Sequence, residues 1–232
     1  MKVWSRTFQA FFRSSKRVFT QTMNPVFFYR AVSKWLLAAF CVVLVSGCAT
    51  VPKPEVVVSE QVKQQLWQEN KQHRQKVVSW QLTGRMGLRV PGESGTLSLE
   101  WLQNQTEYKL YLDGPLGTSV ARIEGNKQGI TLWADGKKYL GRDPESLLLQ
   151  LTGWDLPVSL LRYWIVGIPA PWSDKTLQLN SQGLAEKISQ SGWQVEYLGY
   201  KDFKGVTLPS RLRVTRGEIR VTLSIRNWLV RP

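Results

Sequence analysis

Thiols and imidazoles are nearly missing from this 232-residue chain, which has two cysteines, Cys41 and Cys48, and one histidine, His73. Two cysteines close together near the N-terminus cannot staple a domain. The lone histidine sits among Gln, Lys and Arg, with no partner at metal-ligand or catalytic spacing. Its surroundings read as a solvated helix face. Gly84, Gly87, Gly92 and Gly95 fall in strands and a hairpin turn and resemble no phosphate-cradling loop. There is no internal repeat, no low-complexity tract, and no singled-out pair of carboxylates. Disulfide scaffolds, zinc sites, nucleotide-binding loops and histidine-based hydrolases therefore find no support. No cofactor and no metal are implied, and the chain does not read as an enzyme.

Acidic residues are absent before Cys48, while Lys2, Arg6, Arg13, Lys16, Arg17, Arg30 and Lys34 lie there. The apolar run Trp35–Val45 that follows is shorter than the roughly 20 residues of a membrane span. A basic segment, a short apolar run and small residues form the pattern of a secretory signal peptide. The ending Val45-Ser46-Gly47-Cys48 looks like a bacterial lipobox, with Cys48 as the lipidated first residue after cleavage. Residues 1–47 are thus expected to be a cleaved leader, with translation starting at Met1 or Met23. Seven of the 31 basic residues and none of the 17 acids precede Cys48, so the net charge falls from +14 to +7 on cleavage. That remainder still favours anionic headgroups or an acidic partner, whereas an exported lipoprotein would not meet nucleic acid. Ala49, rather than Asp, follows the cysteine, which by enterobacterial convention points to the outer membrane.

Residues 48–57, with Pro52 and Pro54, read as a lipidated tether, and 58–232 as one domain. Ser59 can cap a polar helix reaching about Lys76, with Val62, Leu66, His73 and Val77 on one stripe. The period then switches to two. Trp80, Leu82, Met86, Leu88 and Val90, then Leu97, Leu99 and Trp101, then Tyr108, Leu110 and Leu112 mark three half-buried strands. Hairpins over 119–124, 130–134 and 137–141 follow, the last opened by Asp135-Gly136. Asp143-Pro144 starts a helix ending at Gly153. A second helix runs from Pro157 to Val166, presenting Leu160, Leu161, Trp164 and Ile165. Strands return at about 176–179, 184–189, 193–199, 210–215 and 218–226. About eleven antiparallel strands must curl, and about three helices are available to cover the concave face. The expected fold is mainly β, an open, incomplete antiparallel barrel with helices over its concave face.

Nine tryptophans remain after Cys48. Trp80, Leu82, Leu97, Leu99, Trp101, Leu110, Leu112, Trp164 and Trp193 are candidates to line an apolar cavity, but periodicity cannot tell a filled interior from a hollow one. Gly114-Pro115-Leu116-Gly117 fits a type I turn with Leu116 at the corner. That leucine either points outward or folds back on the barrel.

Gly114-Pro115-Leu116-Gly117, Leu151-Thr152-Gly153, Leu161-Arg162-Tyr163-Trp164-Ile165-Val166-Gly167-Ile168-Pro169 and Tyr197-Leu198-Gly199-Tyr200 stand in the order seen in the LolB family. So do Gly84-Arg85 and Asn227-Trp228. The resemblance covers residues 60–230. LolB proteins are lipid-anchored receptors that take lipoproteins from the periplasmic carrier LolA and insert them into the outer membrane. The resemblance implies a half-barrel whose protruding, membrane-inserting loop residue is Leu116, flanked by Pro115 and Gly117. It places family cavity tryptophans at Trp101, Trp164 and Trp193. Expected partners are a LolA-like carrier, acylated lipoproteins as cargo, and inner-leaflet phospholipid of the outer membrane, with the protein a monomer. The alternative is an anchored acyl-lipid or glycolipid sensor built on the same half-barrel. Either reading expects an unfilled apolar hollow large enough for fatty tails.

Overall fold

The structure is a computed structural model and describes residues 58–231. The expected leader, Cys48 and the 48–57 tether lie outside the described residues.

Helix α1 (Glu60–Gln75) starts at Ser59, whose hydroxyl accepts a hydrogen bond from the Val62 N–H at 3.4 Å. Its buried stripe differs from the expected one. Trp67 and Arg74 are buried, two turns apart on one face, while Val62 and His73 are exposed. Arg74 can go inward because its guanidinium donates to the Thr207 carbonyl at 3.2 Å and lies over the Tyr200 ring. Its aliphatic stem adds apolar cover. Asn70 ties the helix to the carbonyls of Gln182 and Gly183.

Six strands follow as a meander: β1 (Ser79–Val90), β2 (Glu93–Asn104), β3 (Glu107–Asp113), β4 (Ser119–Gly125), β5 (Ile130–Ala134) and β6 (Lys137–Gly141). Two short helices come next, α2 (Pro144–Thr152) and α3 (Val158–Trp164). A second meander completes the chain: β7 (Lys175–Leu179), β8 (Ala185–Gln190), β9 (Trp193–Phe203), β10 (Val206–Arg216) and β11 (Ile219–Arg231). β11 returns to pair with β1, so the two meanders form one antiparallel sheet ordered β6-β5-β4-β3-β2-β1-β11-β10-β9-β8-β7. β6 and β7 are its two edges and do not pair with each other. This is the open barrel expected.

Three C-terminal strands are longer than the alternation suggests. β10 begins before Pro209, which lacks an N–H and is absorbed where the register with β9 shifts. β11 continues past Arg226 because a bulge opposite Thr83 and Gly84 inserts one residue. Arg226 and Asn227 are both exposed, and Trp228 returns to the inner face. Gly84 permits that bulge, since a Cβ there would lie 2.2 Å from the Ser224 carbonyl oxygen. The inner face carries one continuous core running from Trp67 and Trp80 to Val214 and Trp228.

Candidate functional site

Helices α2 and α3 form a lid on the concave side. Asp143 caps α2 by accepting from the Ser146 N–H at 2.8 Å, which holds its carboxyl below the usual aspartate range. Gly153 ends the helix with φ +77°. The Glu145 carboxylate accepts from the Ser159 N–H at 2.7 Å and from its hydroxyl at 3.1 Å, joining α2 to α3. The connection between them is pinned to the end of β10 by an Asp155–Arg216 ion pair, and Arg216 lies 4.4 Å over the Trp193 ring.

Beneath this lid lies an apolar void of about 80 Å³. Sheet residues Leu97, Leu110, Leu112 and Val120 form one wall, and lid residues Leu148, Trp154, Leu156 and Leu161 the other. An engineered cavity of about 150 Å³ holds one benzene, so this void holds less than that and far less than a fatty tail. The expected standing hollow is corrected here: the lid's leucines and Trp154 have closed onto the sheet.

The residues expected to line a cavity divide. Leu97, Leu110 and Leu112 border the void, whereas Trp80, Leu82, Leu99, Trp101, Trp164 and Trp193 do not. These six are buried in the core. Trp80 meets Trp101 at 5.4 Å and Trp228 at 5.1 Å between ring centroids, a packed aromatic cluster. The indole N–H of Trp101 donates to Gln103, and that of Trp164 to Gln190 at 2.8 Å. Gln190 also accepts from the Ala170 N–H and donates to its carbonyl. A larger groove of about 910 Å³ lies at the opposite end of the strands and does include Trp80, but Gln103, Asn104, Lys109, Glu124 and Asn126 make it polar. The lid side of the void was not among the expected cavity residues. Its signal was the helical spacing of Leu148 with Thr152 and of Val158 with Leu161, which places each pair on one helix face.

Leu116 is fully exposed at the tip of the β3–β4 connection. The type I turn is corrected as well. Leu116 has φ +63° and ψ 17°, with Gly117 next at φ +76°. The loop is closed at its base by Gly114 N–H donating to the Thr118 carbonyl at 2.8 Å, and at its tip by Gly117 N–H donating to the Gly114 carbonyl at 3.3 Å. A leucine in left-handed backbone costs roughly 1–2 kcal/mol, and the site gives it no packing in return. The void begins at the root of this loop: Leu112 and Val120 flank it on β3 and β4.

Groups with perturbed ionisation lie away from the void. Burial lowers Arg74 and raises Tyr197 and Tyr200, whose hydroxyls donate to the carbonyls of Trp164 and Ala185, each at 2.7 Å. Burial also pushes Tyr108 up to about 12. Among the described residues no cluster of His, Cys, Asp or Glu is arranged to hold a metal.

The chain matches the family model of the outer membrane lipoprotein LolB over residues 78–228. It is 39% identical over 193 residues to the outer-membrane lipoprotein LolB of Pseudomonas paraeruginosa, covering 83% of this chain and 94% of that one. The LolB of Stutzerimonas stutzeri is 37% identical over 196 residues, covering 84% and 95%. A DUF1329 family protein from Desulfovibrio piger shares the fold alone, with a TM-score of 0.50 at 8% identity over 73% of this chain and 92% of that one. With its exposed turn leucine, lidded half-barrel and these matches, the chain belongs to the LolB family of outer-membrane lipoproteins.

Proposed function

We propose that this protein, anchored through a lipidated Cys48, accepts acylated lipoproteins from a LolA-like periplasmic carrier and releases them into the outer membrane. The observation that carries this reading is the adjacency of the void and the turn: an apolar wall meets an exposed leucine at one end of the sheet. Exposing one chain of roughly 15 methylenes to water costs on the order of 12 kcal/mol, so a cargo tail needs continuous apolar contact from carrier to bilayer. The closed void must enlarge to take it. The movable part of the lid is α2 with its connection to α3, held over the sheet by apolar contacts and by the half-exposed Asp155–Arg216 pair, whereas the end of α3 is fixed to the sheet by the Trp164–Gln190 and Tyr197–Trp164 hydrogen bonds. Swinging that part outward would bare Leu97, Leu110, Leu112 and Val120 to the incoming chains. Leu116 would enter the bilayer beside that opening and give the chains a path out. A preference of about 1.4 kcal/mol over the carrier suffices to bias transfer tenfold, so no nucleotide is needed.

The test is transfer of a labelled lipoprotein from purified carrier to this protein and then to liposomes. Label is expected first on this protein and then in the vesicles. Uptake without onward release would leave a lipid-binding sensor, and no uptake would end the reading.

A further inference from the structure

At the end of the sheet that bears Leu116, a set of anion-binding donors is left unused by the fold. β1 and β2 outrun their neighbour there: the last β2–β3 pair is Ser98 with Asp113, so Glu93–Leu97 project without a β3 partner. The Pro115–Gly117 turn lies beside β2. On the outer face of the projection is a groove of about 280 Å³ formed by Gly87, Arg89, Ser94, Thr96, Arg220 and Thr222. The register builds it in two rows. Arg89 stands between Ser94 and Arg220, and Gly87 between Thr96 and Thr222.

Two arginines directly opposite each other in a sheet repel. Arg122, Arg213 and Arg216 each have a carboxylate partner. Arg89 and Arg220 have none among the described residues, although Glu218 is in the adjoining turn, and no side-chain hydrogen bond engages Ser94, Thr96 or Thr222. The groove floor is glycine without a packing reason. A Cβ on Gly87 would meet nothing closer than the Thr222 carbonyl oxygen at 3.8 Å, whereas one on Gly84 in the same strand would collide. Two planar guanidinium forks and three hydroxyls around an open floor match the oxygens of a phosphate.

We propose that this groove binds the phosphate of a membrane phospholipid headgroup while Leu116 sits in the acyl region beside it. The proposal rests on the membrane-facing role given to Leu116 above. The phosphate is a lipid's because the groove opens on the same end of the sheet as an exposed, unpacked leucine. Holding a headgroup there fixes the protein's orientation at the bilayer, with the mouth under α2–α3 toward the lipid.

Vesicle flotation of the purified protein tests this, using vesicles of phosphatidylethanolamine with phosphatidylglycerol and, separately, of neutral glycolipid without phosphate. Arg89→Gln/Arg220→Gln is expected to weaken binding to the phospholipid vesicles about 30-fold, the worth of two arginines at an anionic surface, and to leave glycolipid binding unchanged. Gly87→Val fills the groove without altering charge and is expected to weaken phospholipid binding alone. Melting curves confirm that each variant folds. Lys127→Gln/Arg142→Gln, at the opposite end of the strands, is the charge control. An equal loss in that control, or normal binding by Gly87→Val, would overturn the site. So would inorganic phosphate binding in the groove without competing with vesicles, or a groove variant that binds vesicles normally and only slows uptake from the carrier. If the parent fails to discharge cargo while the groove variants still lose vesicle binding, the transfer reading falls and the groove stands. Normal discharge with unaffected vesicle binding gives the converse.

Discussion

Replacing Leu116 with glycine should make the protein more stable and less active at once. The leucine sits at φ +63°, which costs roughly 1–2 kcal/mol for an L-residue, and glycine removes that cost. Glycine also adds freedom to the unfolded chain, worth about 0.5–1 kcal/mol against folding. The net gain is about 0.5–1 kcal/mol, a rise in Tm of about 1–4 °C for a domain of this size. No packing is lost in exchange, because the side chain is fully exposed. The same change removes an apolar group worth about 1.5–3 kcal/mol on entering a bilayer. Discharge of lipoprotein into liposomes should fall roughly ten- to hundredfold while uptake from the carrier is kept. Leu116→Asn should behave alike, since asparagine tolerates the left-handed region. Leu116→Ala should lose discharge without gaining stability, because alanine keeps the strained backbone. Differential scanning calorimetry and the two-step transfer assay read both axes. A Leu116→Gly variant that melts no higher than the parent would refute the strain argument, and one that discharges normally would remove the residue from the mechanism.

Three further outcomes follow from the site. Val120→Phe fills the mouth of the void; it should cost no more than about 1–3 kcal/mol in folding yet abolish binding of a fluorescent fatty acid, and unchanged titration would show that tails enter elsewhere. Gln190→Leu strands the Trp164 indole N–H and both backbone groups of Ala170. A loss of about 3 kcal/mol or more is expected by urea unfolding, and less than about 1 kcal/mol would mean those groups find other partners. Asp143→Ala removes the α2 cap and should cost about 1 kcal/mol at neutral pH. Since the folded carboxyl titrates below its unfolded value, the cap's contribution is complete above the ordinary aspartate pKa and disappears as pH falls through the lower folded one. Melts of parent and variant should therefore converge in acid, and a constant gap would show that the carboxylate is not the cap.

Local chemistry made much of the fold legible. The Asp143–Pro144 start and Gly153 stop of α2 are written in residue types that cap helices, and the Asp135–Gly136 turn in residues that accept positive φ, here +52° and +70°. Alternation of large apolar residues gave the strand faces wherever the ladder is regular. It failed where the ladder is not: at Pro209, and past Ile225, where an inserted residue reverses the phase and conceals Trp228. The α1 stripe departs from its apolar spacing because Arg74 is charged by type but buried by virtue of a carbonyl and a ring supplied from β10 and β9, far along the chain.

The chain's own order of residues was enough to determine an open antiparallel barrel with a helical lid and a turn carrying Leu116, because turns, caps and period-two patterns act within a few residues; that Leu116 faces outward was decided by the fold. Which of its large apolar side chains fill the core and which border a void was decided by tertiary packing alone. An indole that finds Gln190 across the core and a leucine that borders the void both read in sequence as inward-facing apolar residues, since the difference is set by what the opposite wall brings to them.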